Sequence, residues 1–178
     1  MKISESAYSA WQAKLQGMSW FGFIWKFWGM YGIVYYLAVG VFLLVRPESR
    51  ILAATAFLAF VLARGVVAEI LYLFIKTQRP HQIYNFSQPK SWLFSWGTKR
   101  PDSFPSGHAI SSAAISSVLF FYNPVLGIVG FGVALFVGMG RIILGYHYVS
   151  DVLGGWFLGA LTGYVAYFYL AEMLFTRF

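Results

Sequence analysis

The chain has 178 residues, 59% of them apolar and 11% charged, against roughly 45–50% and about 25% in soluble proteins, so its composition points to lipid rather than water. No cysteine is present, which excludes disulfides and thiolate metal sites and leaves three histidines as the side chains that titrate near neutrality. The net charge of +7 is scattered rather than gathered into a basic block, which argues against a nucleic-acid partner and suits anionic lipid or a phosphate-bearing ligand.

The chain is expected to form a single domain over residues 1–178, all-α, with residues 1–25 as an amphipathic N-terminal segment. Residues 1–14 lack the basic-then-apolar order of a cleaved signal and are expected to stay on the protein. Within residues 8–16, Tyr8, Trp11 and Leu15 share one side at helical spacing, which fits a short helix lying at the membrane interface and equally an ordinary amphipathic turn. Residues 27–45 carry no charge, are long enough to span about 30 Å of hydrocarbon, and end at Arg46 and Pro47. Residues 51–75 form a second span that carries Arg64 and Glu69. Five residues apart on a regular helix, these two do not share a face, so Glu69 is expected to pair elsewhere and to support a basic cluster from below.

Hydropathy falls over residues 76–104, the one long extramembrane segment, where Trp92, Phe94 and Trp96 resemble an interfacial anchor. A third span follows over residues 106–121, a break at Tyr122, Asn123 and Pro124, and a fourth over residues 125–144. The fifth, residues 149–170, has Gly155, Gly159 and Gly163 on one face, where a neighbouring backbone can approach closely. About five transmembrane helices in one bundle are therefore expected.

Three polar clusters interrupt this pattern, at residues 76–80, 102–108 and 141–151, and counting crossings puts all three on one membrane face. In the first, Lys76 and Arg79 offer cations, and Glu69, Tyr72 and Lys76 are expected to form one stripe along the second helix. Basic residues at a span's end also serve as plain interfacial anchors. In the second, Pro105, Ser106, Gly107 and His108 open an apolar run, with Asp102 or Ser103 available as the N-cap. A helix N-terminus binds anions through its unpaired N–H groups; Gly107 would let a phosphate oxygen approach, and Ser106 would add a hydroxyl. In the third, His147 and Asp151 are four apart and stack on one helical face, with Arg141 nearby. A carboxylate there can fix the imidazole tautomer and leave the other nitrogen as a nucleophile, although a buried His–Asp pair can also serve packing alone.

Taken together, Lys76-Thr77-Gln78-Arg79-Pro80, Pro105-Ser106-Gly107-His108, and Arg141 followed by His147 and Asp151 resemble the motifs of the type 2 phosphatidic acid phosphatase superfamily. The likeness covers roughly residues 69–155. The last two motifs agree in residues, order and the 32 residues between them (109–140). The first departs: the family pattern puts its lysine at position 72, where this chain has Tyr72, and Lys76 stands four residues later.

The resemblance implies a membrane phosphatase acting on a lipid phosphate monoester or pyrophosphate, such as phosphatidylglycerol phosphate, a polyprenyl pyrophosphate or phosphatidic acid. It implies His147 as nucleophile, His108 as general acid and Asp151 as the group that orients His147. Arg79, Arg141, Lys76, Ser106 and the Gly107 amide would bind the phosphate. No metal or other cofactor is implied, and the scarcity of carboxylates in the clusters agrees. A catalytically silent relative that binds or transports lipid phosphates is the main alternative; it would keep the cations but could dispense with His147 or Asp151.

The resemblance also implies the extracytoplasmic face of a bacterial cytoplasmic membrane. The positive-inside rule points the other way. It counts Lys2, Lys14, Lys26, Lys76, Arg79, Lys90, Lys99, Arg100 and Arg141 on the cluster face against Arg46, Arg50 and Arg177 opposite.

Overall fold

The computed structural model describes residues 19–84 and 102–170, together with Ala10, Ala13 and Lys14. The interfacial segment at residues 8–16, those three residues apart, and the aromatic anchor at Trp92, Phe94 and Trp96 lie outside the described residues. Helices α1 (Ser19–Tyr31) and α2 (Ile33–Val45) lead through a tight 3-10 turn (Pro47–Ser49) to α3 (Arg50–Val61). A π-helical stretch (Leu62–Val67) joins α3 to α4 (Ala68–Phe74). The short α5 (Pro80–Ile83) follows, then α6 (Gly107–Tyr122), α7 (Pro124–Ile143) and α8 (Val149–Val165), which runs into a second π-helical stretch (Ala166–Leu170).

Among the described residues, three continuous helices are long and apolar enough to cross a bilayer: Pro47–Phe74, Pro124–Ile143 and Val149–Tyr169. They coincide with the second, fourth and fifth expected spans. The first expected span is instead a bent pair, Gly22–Tyr31 and Ile33–Val45, with 48° between the halves. The bend falls at Gly32, where a Cβ would lie 2.4 Å from Val137 Cγ2 of α7, so the neighbouring helix occupies the space an ordinary side chain would fill. The third expected span is α6, an apolar helix of 16 residues and thus about 24 Å long, shorter than the roughly 30 Å of a hydrocarbon core.

Helix α6 is the axis of the bundle and packs against α8, α7 and α3. Its many serines are compatible with that position because Ser111, Ser112, Ser116 and Ser117 each donate to a helix carbonyl, leaving no hydroxyl to face lipid. The glycine ladder of α8 performs as its spacing predicts. A Cβ at Gly159 would lie 2.2 Å from the Ile110 carbonyl oxygen, and one at Gly163 would lie 2.3 Å from that of Ala114. Only bare backbone permits α8 to lie this close to α6. Large apolar side chains such as Phe57, Leu73, Ile128 and Phe157 cover the outside of the bundle, as lipid-facing positions require.

Two expectations about the second span are overturned. Arg64 and Glu69 do meet, with Arg64 Nη1 2.7 Å from Glu69 Oε1. The π-helical turn explains this: its wider i→i+5 repeat brings residues five apart into register, which a regular helix does not. The polar stripe also stops short of Lys76. Helix α4 ends at Phe74 and Ile75 is extended (φ −108°, ψ 98°), so Lys76 leaves the face of Glu69 and Tyr72.

Candidate active site

The end of α7 builds the first half of the site. Gly145 adopts a left-handed conformation (φ 71°), its N–H bonds to the Ile142 carbonyl (2.9 Å), and the Tyr146 N–H reaches back to the Arg141 carbonyl (3.0 Å). These two bonds form a Schellman cap, which reverses the chain within five residues. The His147 N–H then also bonds to the Arg141 carbonyl (3.3 Å), so the six-residue step from arginine to histidine returns both side chains to one place. Arg141 is buried, donates from Nη1 to the Gly29 carbonyl (3.1 Å) and lies over the Tyr146 ring (3.9 Å to its centroid), while its Nε has no partner among the described residues.

The start of α8 supplies Asp151, whose Oδ2 accepts from the Tyr148 N–H (2.8 Å) and from the Ser103 hydroxyl. That carboxylate lies 3.6 Å from His147 Nδ1. The direct partner of Nδ1 is another group, the Ser103 main-chain carbonyl at 2.9 Å. Since a carbonyl only accepts, the proton sits on Nδ1 and the lone pair on Nε2. Ser103, expected at most as an N-cap, therefore holds both members of the His–Asp pair, one through its carbonyl and one through its hydroxyl. No side-chain pattern could announce a carbonyl's role.

The middle cluster is tied to both neighbours. The Ser103 N–H bonds to the Thr77 carbonyl (2.8 Å), the Ser106 N–H to the Asp151 carbonyl (2.9 Å), and Arg79 Nε to the Asp102 carbonyl (3.3 Å). Helix α6 begins at Gly107, so its N-cap is Ser106, not Asp102 or Ser103, which are drawn to the other clusters. The Ser106 hydroxyl is fully buried, makes no capping bond and has no partner among the described residues. His108 follows on the first turn, within electrostatic reach of Arg141, His147, Arg64 and Arg79. Arg79 is buried between these segments.

The structure thus brings together His147, Asp151, Arg141, Arg79, Ser106, Gly107 and His108. Lys76 stands apart from them: its side chain is 64% exposed, its ammonium donates to the Tyr72 carbonyl and it lies 3.6 Å from Asp102. The position the resemblance gives to a lysine is filled by Tyr72, whose hydroxyl donates to the Pro105 carbonyl (2.8 Å) and braces the entry to α6. The third histidine, His81, which the sequence left without a role, sits beside Arg79 and the Gly145 backbone.

Burial, with the charges of Arg141 and Arg79 behind it, pushes the His147 imidazole below its ordinary value against the pull of Asp151. The ring is therefore neutral at pH 7. A neutral imidazole with its free lone pair among buried cations, a helix N-terminus and an unpartnered hydroxyl is equipped to attack an anionic electrophile held by the cations.

The chain belongs to the PAP2 superfamily, whose profile matches residues 53–173, more than half its length. It is an integral membrane protein with an all-α bundle. It is 32% identical over 98 residues to a lipid A 1-phosphatase of Rhizobium etli, covering 52% of this chain and 42% of that one. With an undecaprenyl-diphosphatase of Sulfolobus acidocaldarius it shares 30% identity over 141 residues, 76% of this chain and 64% of the other. The chain thus spans less than half the length of the lipid A 1-phosphatases it matches. The crystal structure of a transmembrane PAP2-type phosphatidylglycerolphosphate phosphatase from Bacillus subtilis has the same fold, with a TM-score of 0.62 at 22% identity, covering 98% of this chain and 88% of that one.

Proposed function

We propose that this chain hydrolyses a lipid phosphate monoester or pyrophosphate by way of a phosphohistidine. The observation that carries the reading is the bond from His147 Nδ1–H to the Ser103 carbonyl, with Asp151 behind it, which leaves Nε2 as the nucleophile. Nε2 forms a bond to phosphorus as the bond from phosphorus to the lipid or bridging oxygen breaks, and His108 gives its proton to that leaving oxygen. Water then attacks the phosphorus, passing a proton to His108, and cleavage of the P–N bond releases phosphate and restores His147. Arg79, Arg141, the Ser106 hydroxyl and the Gly107 amide hold the equatorial oxygens, where charge collects in the transition state. Lys76, already engaged with Tyr72 and Asp102, is left out of this set.

A lipid phosphate is the substrate class this reading favours because the chain is an integral membrane protein of the PAP2 superfamily whose relatives include a lipid A 1-phosphatase and an undecaprenyl-diphosphatase. Phosphatidylglycerol phosphate, a polyprenyl pyrophosphate and phosphatidic acid all satisfy this chemistry. The deciding assay is phosphate release in detergent from dioctanoyl phosphatidic acid, dioctanoyl phosphatidylglycerol phosphate and farnesyl pyrophosphate, with EDTA present, comparing wild type with His147→Ala. Chelator-resistant turnover that disappears in the variant is expected. Turnover that persists in His147→Ala sinks the proposed nucleophile, and wild type inert on the whole panel favours the silent binder.

The setting we propose is a bacterial cytoplasmic membrane, with the site on its extracytoplasmic face. A reporter active only outside that membrane, fused to the N-terminus, is expected to work; activity only of a cytoplasmic reporter there reverses the assignment.

A further inference from the structure

Arg64 belongs to none of the three clusters, yet its side chain ends at the site. A Cβ built on Gly107 would lie 2.8 Å from Arg64 Nε and 3.5 Å from its Cζ, so the guanidinium lies against the first residue of α6. On its other side it faces the Tyr72 ring, 5.7 Å from the centroid, and Tyr72 in turn is bonded to Pro105. The preceding residue, Ser106, carries the fully buried hydroxyl that has no partner among the described residues.

This is an unfavourable place for a cation on its own. The N-terminal end of a helix carries partial positive charge, and Arg64 adds a full one. Arg79 is near enough for the two like charges to act on each other, an effect that, after burial, helps to depress the Arg79 guanidinium from its ordinary value. Glu69 neutralises one side of Arg64 through Nη1, but a guanidinium fork has five donors. An anion at the start of α6 would turn the remaining repulsion into attraction.

We propose that Arg64 is a phosphate-binding residue, carried to the first turn of α6 by the π-helical stretch and steadied there by Glu69, which donates to a non-bridging oxygen of the substrate phosphate beside Ser106 and Gly107. The register of the π turn matters because it lets one carboxylate hold Nη1 from five residues away while the Nε edge of the guanidinium lies against α6. Gly107 matters because any side chain there would collide with Arg64 Nε and displace the guanidinium.

The inference rests on the phosphatase reading of the site. The test therefore uses whichever lipid phosphate of the panel the purified wild type turns over, and measures KM, kcat and the inhibition constant of inorganic phosphate. Arg64→Ala is expected to raise KM and the phosphate inhibition constant about 10- to 100-fold, the size of one charged hydrogen bond, with a smaller loss in kcat. The double variant Arg64→Gln with Glu69→Gln leaves no unpaired charge and so guards against a folding defect, checked by gel filtration and thermal midpoint in detergent. It is expected to stay as impaired as the single variant. A folded double variant with wild-type KM and phosphate inhibition reduces Arg64 to a structural ion pair and overturns the inference, leaving the phosphatase reading intact. Wild type that turns over none of the panel removes the phosphatase reading and the inference with it.

Discussion

Replacing Asp151 by Asn tests how much of the nucleophile's competence comes from the carboxylate rather than from the Ser103 carbonyl. When Nε2 bonds to phosphorus the imidazole becomes cationic, and Asp151 Oδ2 lies 3.6 Å from its Nδ1. A unit charge pair at that distance is worth about 4.6 kcal/mol at an effective dielectric of about 20. This is an upper figure, since Ser103 accepts the Nδ1 proton in either variant. Roughly half of it, about 2–3 kcal/mol, corresponds to a fall in the phosphorylation rate of about 30- to 200-fold. The amide keeps an oxygen for the Tyr148 N–H that Asp151 now caps, so the start of α8 should survive. The assay is single-turnover phosphate transfer to protein, quenched in base to preserve a phosphohistidine, alongside steady-state release. A rate within about threefold of wild type would refute the electrostatic role, because no unit charge lost at this distance is worth so little.

Three further outcomes follow from the same geometry. His108→Gln should lower turnover of lipid substrates by about 10²- to 10⁴-fold, the usual contribution of a general acid, but slow p-nitrophenyl phosphate far less because that leaving group needs little protonation; equal losses on both would remove His108 from that role. The acid limb of kcat/KM should fall below the ordinary histidine value of about 6.5, because burial lowers the folded-state value of His147 and the proposed mechanism needs its neutral form. The same sign applies to stability: the contribution of neutral His147 is present above the unfolded value and is lost as pH falls toward the lowered folded one, so an acid limb or stability loss centred above about 7 contradicts the assignment. Gly159→Ala, whose methyl would meet the Ile110 carbonyl at 2.2 Å, should destabilise the bundle by about 1–3 kcal/mol. Gly132→Ala, with nothing within 4 Å, should not, and equal thermal midpoints in detergent would mean α8 does not rely on that approach.

What the sequence determined by itself was whatever depends on local spacing. Hydropathy located the second, fourth and fifth spans, because lipid requires uninterrupted apolar runs. The four-residue repeat of Gly155, Gly159 and Gly163 gave away the face on which α8 meets α6. The four-residue step from His147 to Asp151 marked the imidazole and carboxylate as neighbours, although His147 lies just before the N-cap Tyr148 of α8 rather than on the helix face that spacing suggested. Tertiary structure alone decided the rest. It bent the first span at Gly32, because the space for a Cβ there belongs to Val137 of another helix. It gave the Nδ1 bond of His147 to a main-chain carbonyl, a group every residue carries and no sequence pattern marks. It took Lys76 off the face of Glu69 and Tyr72 because α4 ends at Phe74, and it paired Arg64 with Glu69 because one π-helical turn changes which residues share a face. The sequence could name the histidines and the cations of the three clusters, but which side chains gather around the start of α6 depends on helix endings and register that only the packed bundle imposes.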